Sequence, residues 1–355
     1  MIATLKAVCS ELHSGKSIPA SEISKEGRYP VIGGNGLRGY TSQYNFDGEC
    51  AVIGRQGAAC GNVRYHSGKA YMTEHAVIAC ANEDNDSRYL AYLLSTADLG
   101  RLSAQSAQPG LSVKTLGNQV FDLPSYQTQK KVAALLGSLD NKIETNRRIN
   151  DYLAAICDAA FSEQFGNTDD NAVLSDIADI TMGQSPSGKS YNEEGKGAVF
   201  YQGRGEFGWR FPTQRLFTTE PKRMAAAGDV LMSVRAPVGD LNVAYEDCCI
   251  GRGLAAIHSQ YPSFCLYLLR SLSRRLNAYN SEGTVFGSIN GKTLKALKIA
   301  LPDKKSIESF EAKADSIDVQ IKINEVESRN LIMLRDALLP KLMTGEIDPL
   351  GGCLA

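Results

Sequence analysis

In residues 126–165, apolar side chains return every three or four positions: Val132, Leu136, Leu139, Ile143, Ile149, Leu153, Ile156 and Ala160. That spacing predicts one amphipathic helix, bounded by Pro124 before it and Gly166 after it. At 1.5 Å per residue the helix would be about 60 Å long, more than the diameter of a small domain, and it reads as a spacer. Residues 304–340 carry a second stripe, at Phe310, Ala314, Ile317, Ile321, Leu331, Leu334 and Leu338, interrupted by Glu327. Two such stripes can be buried against each other as a coiled coil. Asn146 and Asn324 take equivalent polar positions in the stripes. Each reads equally well as a buried, register-setting asparagine or as a residue of the exposed flank.

The stretches on either side have another rhythm. Segments 1–125 and 171–302 are rich in glycine, with short alternating runs at 50–55, 62–65, 75–79, 229–235, 242–245 and 254–258. Period-two alternation of this length predicts strands. Residues 87–102 and 262–279 predict a helix in each segment. The expected class is therefore α+β: two mostly-β domains with packed helices, separated by two long antiparallel helices.

The chain also repeats itself. At an offset of 178, Lys114-Thr115-Leu116 falls on Lys292-Thr293-Leu294, Leu123-Pro124 on Leu301-Pro302, Asp140 on Asp318 and Asn146 on Asn324. Tyr89-Leu90 falls on Tyr267-Leu268 at the same offset. Leu5 and Val8 match Leu174 and Ile177 at 169, and GNGLRG (34–39) then lands on GRGEFG (203–208). Gly48 and Arg55 match Gly228 and Arg235 at 180, which leaves about eleven extra residues in the second copy. Two copies are too few for a solenoid and suggest a pseudo-twofold order of unit, helix, unit, helix. The expected divisions are 1–125, 126–165, 166–302 and 303–345, with a tail at 346–355.

The repeat settles what GNGLRG is. A dinucleotide fingerprint needs a strand, the glycine turn and then a helix, with an acidic residue about 20 positions on. Neither YTSQYNFDG after the first copy nor WRFP after the second reads as a helix. Both glycine segments are expected to be turns that enter a strand.

Composition narrows the field further. The chain has 355 residues, 43% hydrophobic and 22% charged, which is ordinary for a globular protein of two or three units. Nine cysteines without a C-x-x-C pair, and four histidines without ligand spacing, argue against disulfide frameworks and metal sites. Neither a run of 18 apolar residues nor a secretory pattern in MIATLKAVCSELHSGK is seen, so a cytoplasmic protein is expected. Net charge is -1 overall, but it is 0 over 1–125, -2 over 126–170, +4 over 171–302 and -3 over 303–355. Local basic patches of this kind are compatible with DNA contact. Pro302-Asp303 and Glu311-Ala312-Lys313 imitate a nuclease spacing. However, Glu311 and Lys313 fall on the long helix, where solvated positions are expected rather than a converging metal site. P-loop and amino-methyltransferase motifs are absent; Ser14-Gly15-Lys16-Ser17 lacks the earlier glycine.

At several of these stretches the sequence resembles the specificity subunit of type I restriction-modification systems. QTQKKVAALLGSLDNKIETNRRINDYLAAICDAAF looks like that family's central conserved region, and GECAVIGRQGAACGNVRY…YMTEHAVIA like its target-recognition domain. LSDIADITMGQSPSGKSY and GDVLMSVRAPVGDLNVA look like the second such domain, and LRDALLPKLMTGEI like the closing segment. The resemblance implies a subunit without catalysis of its own. Each target-recognition domain would read one half of a split, asymmetric target in double-stranded DNA, and the paired helices would fix the distance between the halves. It further implies two DNA adenine methyltransferase (modification) subunits, each with S-adenosylmethionine, and a translocating nuclease (restriction) subunit that can join them. No cofactor or metal is expected in this chain. The alternative from the residues alone is two β-rich ligand-binding units on a coiled-coil spacer, without DNA.

Base reading needs Arg or Lys for guanine and Asn or Gln for adenine, on loops that enter a groove. In the first unit Asn35, Arg38, Tyr40, Arg55, Gln56 and Asn62 meet that chemistry. In the second Gln184, Ser185, Gln202, Arg204, Arg210 and Arg235 do. Lys189, Lys222, Arg223 and Lys292 are better suited to phosphates, which position without specifying. Arg55 and Arg235 rank highest, as equivalent ends of one repeated strand. Each residue has the plain reading of a solvated or ion-paired side chain beside it.

Overall fold

The computed structural model describes residues 1–103, 110–280 and 287–349; Cys353 and the last six residues of the expected tail lie outside them. Contacts divide the chain into two units, Met1–Asn146 with Val326–Ala355, and Arg147–Glu325. The division passes through both long helices, so each unit holds part of each.

The first unit contains strands β1 (Ile2–Thr4), β2 (Cys9–Ser14), β3 (Tyr29–Gly33), β4 (Gly36–Thr41), β5 (Phe46–Gly54), β6 (Val63–Met72), β7 (Ala76–Ala81) and β8 (Val120–Asp122). Its helices are α1 (Leu5–Val8), α2 (Ser87–Ser95), α3 (Val113–Gly117), the first part of α4 (Tyr126–Phe165) and the last part of α8 (Lys304–Met343). Six strands form one sheet in the order β2-β7-β5-β6-β3-β4, and β1 pairs with β8. Alternation along the strands sorts side chains to two faces. Ala51, Ile53, Val77 and Ala79 pack with Tyr89, Leu90, Leu93 and Leu94 of α2 and with Val132 and Leu136 of α4. Cys50, Val52, Ala76 and Ile78 enclose a smaller core with Phe46, Ala70 and Met72. The Asp86 carboxylate starts α2 by accepting from Tyr89 N at 2.8 Å. Each large apolar side chain that α2 buries contributes about 1.5–3 kcal/mol, which holds the helix on the sheet.

The second unit contains β9 (Ala172–Val173), β10 (Asp179–Met182), β11 (Tyr191–Asn192), β12 (Ala198–Tyr201), β13 (Phe217–Thr218), β14 (Met224–Ala225), β15 (Val230–Ser233), β16 (Leu241–Val243), β17 (Cys248–Ile250), β18 (Leu254–His258) and β19 (Lys298–Ile299). Helices α5 (Pro262–Ser271), α6 (Ser273–Ala278) and α7 (Gly291–Lys295) accompany the remaining parts of α4 and α8. The strands form sheets β10-β18-β15-β16 and β11-β13-β12-β17-β14, with β9 paired to β19.

Hydrogen bonds show that the two units are one topology built twice. The order β2-β7-β5-β6 recurs as β10-β18-β15-β16. Leu5 N donates to Gln119 O, and Leu174 N to Leu297 O. The parallel pair Ile32↔Met72 recurs as Tyr201↔Ile250. The antiparallel pair Phe46↔Ala70 recurs as Ala225↔Cys248. The continuous β5 thus corresponds to β14 plus β15, and β6 to β16 plus β17. At Gly15 a Cβ would lie 2.3 Å from Met72 O, and at Gly183 2.2 Å from Gly251 O, so glycine is required at the same crossing in both copies.

The glycine segments differ from expectation in one copy. Residues 34–35 form the turn between β3 and β4, with Gly36 at φ +97°. In the second copy Arg204–Glu206 is a 3-10 turn, and WRFP does not continue as a strand. Its Gly208 N and O instead bond the Asn242 side chain at 3.1 and 3.0 Å.

Each unit pairs the two long helices antiparallel. In the first unit Arg335 lies 2.9 Å from Asp140, and Asn146 Nδ2 donates to Glu327 (2.8 Å) and Ser328 (3.2 Å). In the second, Asn324 Nδ2 donates to Asn150 Oδ1 at 2.8 Å. Offset by 178, the Asn146–Ser328 contact becomes Asn324–Asn150, so the polar contact is repeated. Asn146, Asn150 and Asn324 are all buried.

The predicted stripe is out of phase beyond residue 146. Ile149 and Ile156 are 41% and 56% exposed, and Ala160 is exposed, whereas Asn150, Ala154, Cys157, Phe161 and Phe165 are buried. Buried asparagines carry the stripe through the middle of the helix, and an apolar count steps past them onto the flank. Phe161 and Phe165 then join Phe264 of α5 and Phe310 of α8, with ring centroids 5.1–6.2 Å apart. Leu334 is likewise exposed. Helix α8 also runs three residues past Pro340.

Candidate nucleic-acid interface

In the first unit the candidates gather at one edge of the sheet, around the turn between β6 and β7. Thr73 N donates to Ile32 O, Ala76 N to Thr73 O and Arg55 N to His75 O. These bonds seat residues 73–75 between the end of β5 and the turn at Gly34, whose Cβ direction meets His75 O at 2.7 Å. Asn35 is exposed at the turn, and the Arg38 side chain lies across Gly33. Exposed Gln56 holds His75, Oε1 to Nδ1, at 2.9 Å, and His75 Nε2 lies 3.3 Å from Glu74 Oε1. Exposed Asn62 adjoins this group, its carbonyl accepting from Gly54 N. Tyr40 does not join it; it is half-buried on the outer edge, bonded to Ser24.

The same frame stands in the second unit. Gly251 N donates to Tyr201 O, Leu254 N to Gly251 O and Val234 N to Gly253 O. Around it lie Gln184, whose N donates to Ile250 O, Ser185, whose Oγ accepts from Arg252 N at 3.4 Å, and Gln202, whose O accepts from Gly253 N. Arg235 follows Val234 directly and is exposed. Arg204 is half-exposed but paired with Asp240 at 3.0 Å.

These bonds correct the equivalence of Arg55 and Arg235. Arg55 and Val234 share both backbone partners: Arg55 N→His75 O matches Val234 N→Gly253 O, and Leu111 N→Arg55 O matches Ile289 N→Val234 O. The true offset along this strand is 179, so Arg235 corresponds to Gln56, and both form bridges to matching residues, Ser288 and Gly110. A slip of one residue on a strand moves a side chain to the other face. Arg55 accordingly turns inward, half-buried, with Nη1 donating to Ser14 Oγ at 3.0 Å.

Arg210 is a second correction. It is 5% exposed, with Nη1 3.2 Å from Asp318 Oδ1 and Nη2 donating to the Tyr267 hydroxyl at 3.4 Å. Asp318 also accepts from Ser263 Oγ and the Tyr267 hydroxyl. Burial beside this pair pushes the Tyr267 hydroxyl well above its ordinary pKa. Arg210 is a structural cation within the unit, turned away from solvent. Glu311 is not solvated either. It accepts from Ser263 N (3.1 Å) and Phe264 N (2.6 Å) and so caps α5, while Asp303 caps α8 through Ser306 N. No cluster of three or more metal-ligating side chains occurs among the described residues.

The phosphate candidates are all exposed: Lys189 in a turn before β11, Lys222 and Arg223 before β14, and Lys292 on α7. Arg223, Lys292 and Lys295 line one cleft of about 660 Å³ with Ser175 and Thr181 and without an acidic residue. That is the composition a phosphodiester backbone requires. Sequence reasoning passed over Lys16, Glu74, His75, Arg252 and Lys295. The 178 offset that pairs Tyr89 with Tyr267 also pairs Glu74 with Arg252 and would have found both.

A frame built twice on one chain agrees with what comparison with known proteins shows. The model for the type I restriction modification DNA specificity domain matches residues 2–155 and again 170–327. The chain belongs to this family. It is 30% identical over 320 residues to the MjaX specificity subunit of a type I restriction enzyme from Methanocaldococcus jannaschii, covering 81% of this chain and 75% of that one. To the EcoprrI specificity subunit of Escherichia coli it is 37% identical over 134 residues, 37% of this chain and 33% of that protein. The fold is similar to that of the S subunit of a type I restriction-modification system from M. genitalium, with a TM-score of 0.63 and 18% identity over 96% of this chain and 95% of that one. Membership makes this a DNA specificity protein, and its two domain matches fall on the two repeated folds. Among the described residues no helix is long and apolar enough to cross a membrane.

Proposed function

We propose that each unit of this specificity subunit reads one half of a split DNA target through the loops around 73–75 and 251–253, and that α4 and α8 set the spacing between the halves. The observation that carries the reading is a single backbone frame, matched bond for bond between the units, that presents different side chains in each. A shared frame gives both units the same way of entering a groove; the differing side chains make the target asymmetric. Two readers fit two segments about one helical turn of DNA apart, roughly 34–36 Å. The segments 1–125 and 166–302 act as target-recognition domains, with 126–165 and 303–345 as spacers.

The exposed readers are Asn35, Arg38, Gln56 and Asn62 in one unit, and Gln184, Gln202, Arg204 and Arg235 in the other, where half-buried Ser185 stands beside them. Lys189, Lys222, Arg223 and Lys292 hold phosphates. The chain lends specificity, while the chemistry belongs to two methyltransferase subunits that carry S-adenosylmethionine, and to a translocating nuclease subunit when one is present. Such an assembly works on cytoplasmic DNA. The test is binding of the complex with its methyltransferase to a library of duplexes at several salt concentrations. Selected duplexes should share two unlike half-sites, and affinity should fall steeply with salt. Enrichment of no sequence would refute the reading and favour two ligand-binding units that do not engage DNA.

A further inference from the structure

The matched frame allows the two readers to be compared position by position. Lys16 N donates to Met72 O where Gln184 N donates to Ile250 O, so these two residues occupy one place. Gln56 stands where Arg235 does, each bridged back to the segment before its short helix, α3 or α7. Turn 73–76 closes through Ala76 N→Thr73 O at 3.0 Å, and turn 251–254 through Leu254 N→Gly251 O at 3.0 Å, so Glu74 stands where Arg252 does. His75, which links Gln56 to Glu74 in the first unit, is replaced by Gly253 in the second.

The chemistry at these places is opposite in the two units. The first unit presents an amide and a carboxylate, linked through His75. Glu74 is half-buried: its Oε1 lies beside His75, and its Oε2 is buried without a hydrogen-bond partner, an acceptor that reaches a base only when the side chain turns outward. A carboxylate only accepts, and among base edges in the major groove the matching donors are the amino groups of cytosine N4 and adenine N6. The second unit presents two exposed guanidinium groups, Arg235 and Arg252, neither in an ion pair among the described residues. A guanidinium only donates, and guanine offers two adjacent acceptors, O6 and N7, in the fork geometry it fits.

On the reading that these loops enter DNA, we infer that Glu74 and Arg252 are opposed specificity determinants. Glu74 selects a base with an exocyclic amino group in the half-site of the first unit. Arg252, with Arg235, selects guanine in the half-site of the second. Arg252 is exposed in its turn and Glu74 half-buried in the matching one, and neither belongs to a hydrophobic core, so exchanging their side chains leaves the cores intact.

The experiment compares the complete complex with its Arg252→Glu, Arg235→Gln and Glu74→Arg variants, each bound to the duplex library, with circular dichroism as a check on folding. Arg252→Glu should lower preference for guanine at one position of one half-site by about tenfold or more, with the other half-site unchanged. Arg235→Gln should act in the same half-site. Glu74→Arg should act only in the opposite half-site and move its preference toward guanine. If the wild type selects two half-sites but folded Arg252→Glu and Glu74→Arg select the same bases as before, the inference is overturned and the split-target reading stands. A wild-type complex without any sequence preference would overturn both.

Discussion

The buried pair Arg210–Asp318 offers a sharp test of which arginines hold the protein together. Asp318 accepts from Ser263 Oγ at 2.8 Å and from the Tyr267 hydroxyl at 3.0 Å, and it forms an ion pair with Arg210 Nη1 at 3.2 Å. The Asp318→Ala substitution leaves a guanidinium that is 5% exposed without its counter-charge. Removing one partner of a buried pair costs about 3–5 kcal/mol. Asp318 itself is 20% exposed, which lets water relieve part of the loss and places the expected cost near the lower end, about 3 kcal/mol. With a urea dependence of about 2–3 kcal/mol per molar, the unfolding midpoint should fall by about 1 M or somewhat more. The single tryptophan, Trp209, adjoins Arg210 and bonds Asp151 at 2.9 Å, so its fluorescence reports the unfolding of this unit. The double variant Arg210→Met with Asp318→Leu removes both charges and should recover part of that loss, the Ser263 and Tyr267 hydroxyls being left without their acceptor. An Asp318→Ala stability within about 0.5 kcal/mol of wild type would refute the structural role and return Arg210 to the DNA-reading set.

Burial holds the His66 pKa below its ordinary value, against a bond from its Nε2 to Gly68 O. The unfolded chain then binds the proton more readily, so stability is full above about pH 6.5 and is lost as pH falls below it. His66→Gln should flatten that acid limb in urea titrations at pH 7.5 and 5.5; an unchanged slope would count against it. Asn324→Ala removes the 2.8 Å donor to buried Asn150 Oδ1 and should cost about 1–3 kcal/mol in thermal or urea unfolding. Lys292→Ala should weaken binding of the complex to all duplexes alike and reduce the slope of log K against log salt by about 1, with base preference unchanged.

The parts of the fold legible in the sequence were those carried by periodicity and by similarity between the copies. The bounds of α4 and the places of β5, β6, β7, β15, β16 and β18 follow from spacing, and the unit-helix-unit-helix order from the repeat; the other strands are too short or too irregular to show a period. What spacing could not show was burial of polar groups. Asn150 lies in the helix interface because Asn324, 174 residues away in sequence, gives it a partner. Arg210 is inside because Asp318 meets it there. Counting apolar residues therefore put Ile149 and Ile156 in the interface, and counting exposed chemistry put Arg210 on DNA. The slip between Arg55 and Arg235 has a different origin. An offset of 179 between offsets of 169 and 178 is fixed by strand register, which hydrogen bonds define and residue matching over a few positions does not.

The most direct measurement is the map of sites methylated by the complex, before and after lengthening the spacer. Four residues, one helical turn, would be inserted after Arg147 in α4 and four after Glu325 in α8, adding about 6 Å to each. At 3.4 Å per base pair, the expected result is two unlike half-sites, both retained, with the unread gap between them longer by about two base pairs. Retained half-sites with an unaltered gap, or a target that is a single contiguous sequence from the start, would contradict two readers held apart by these helices.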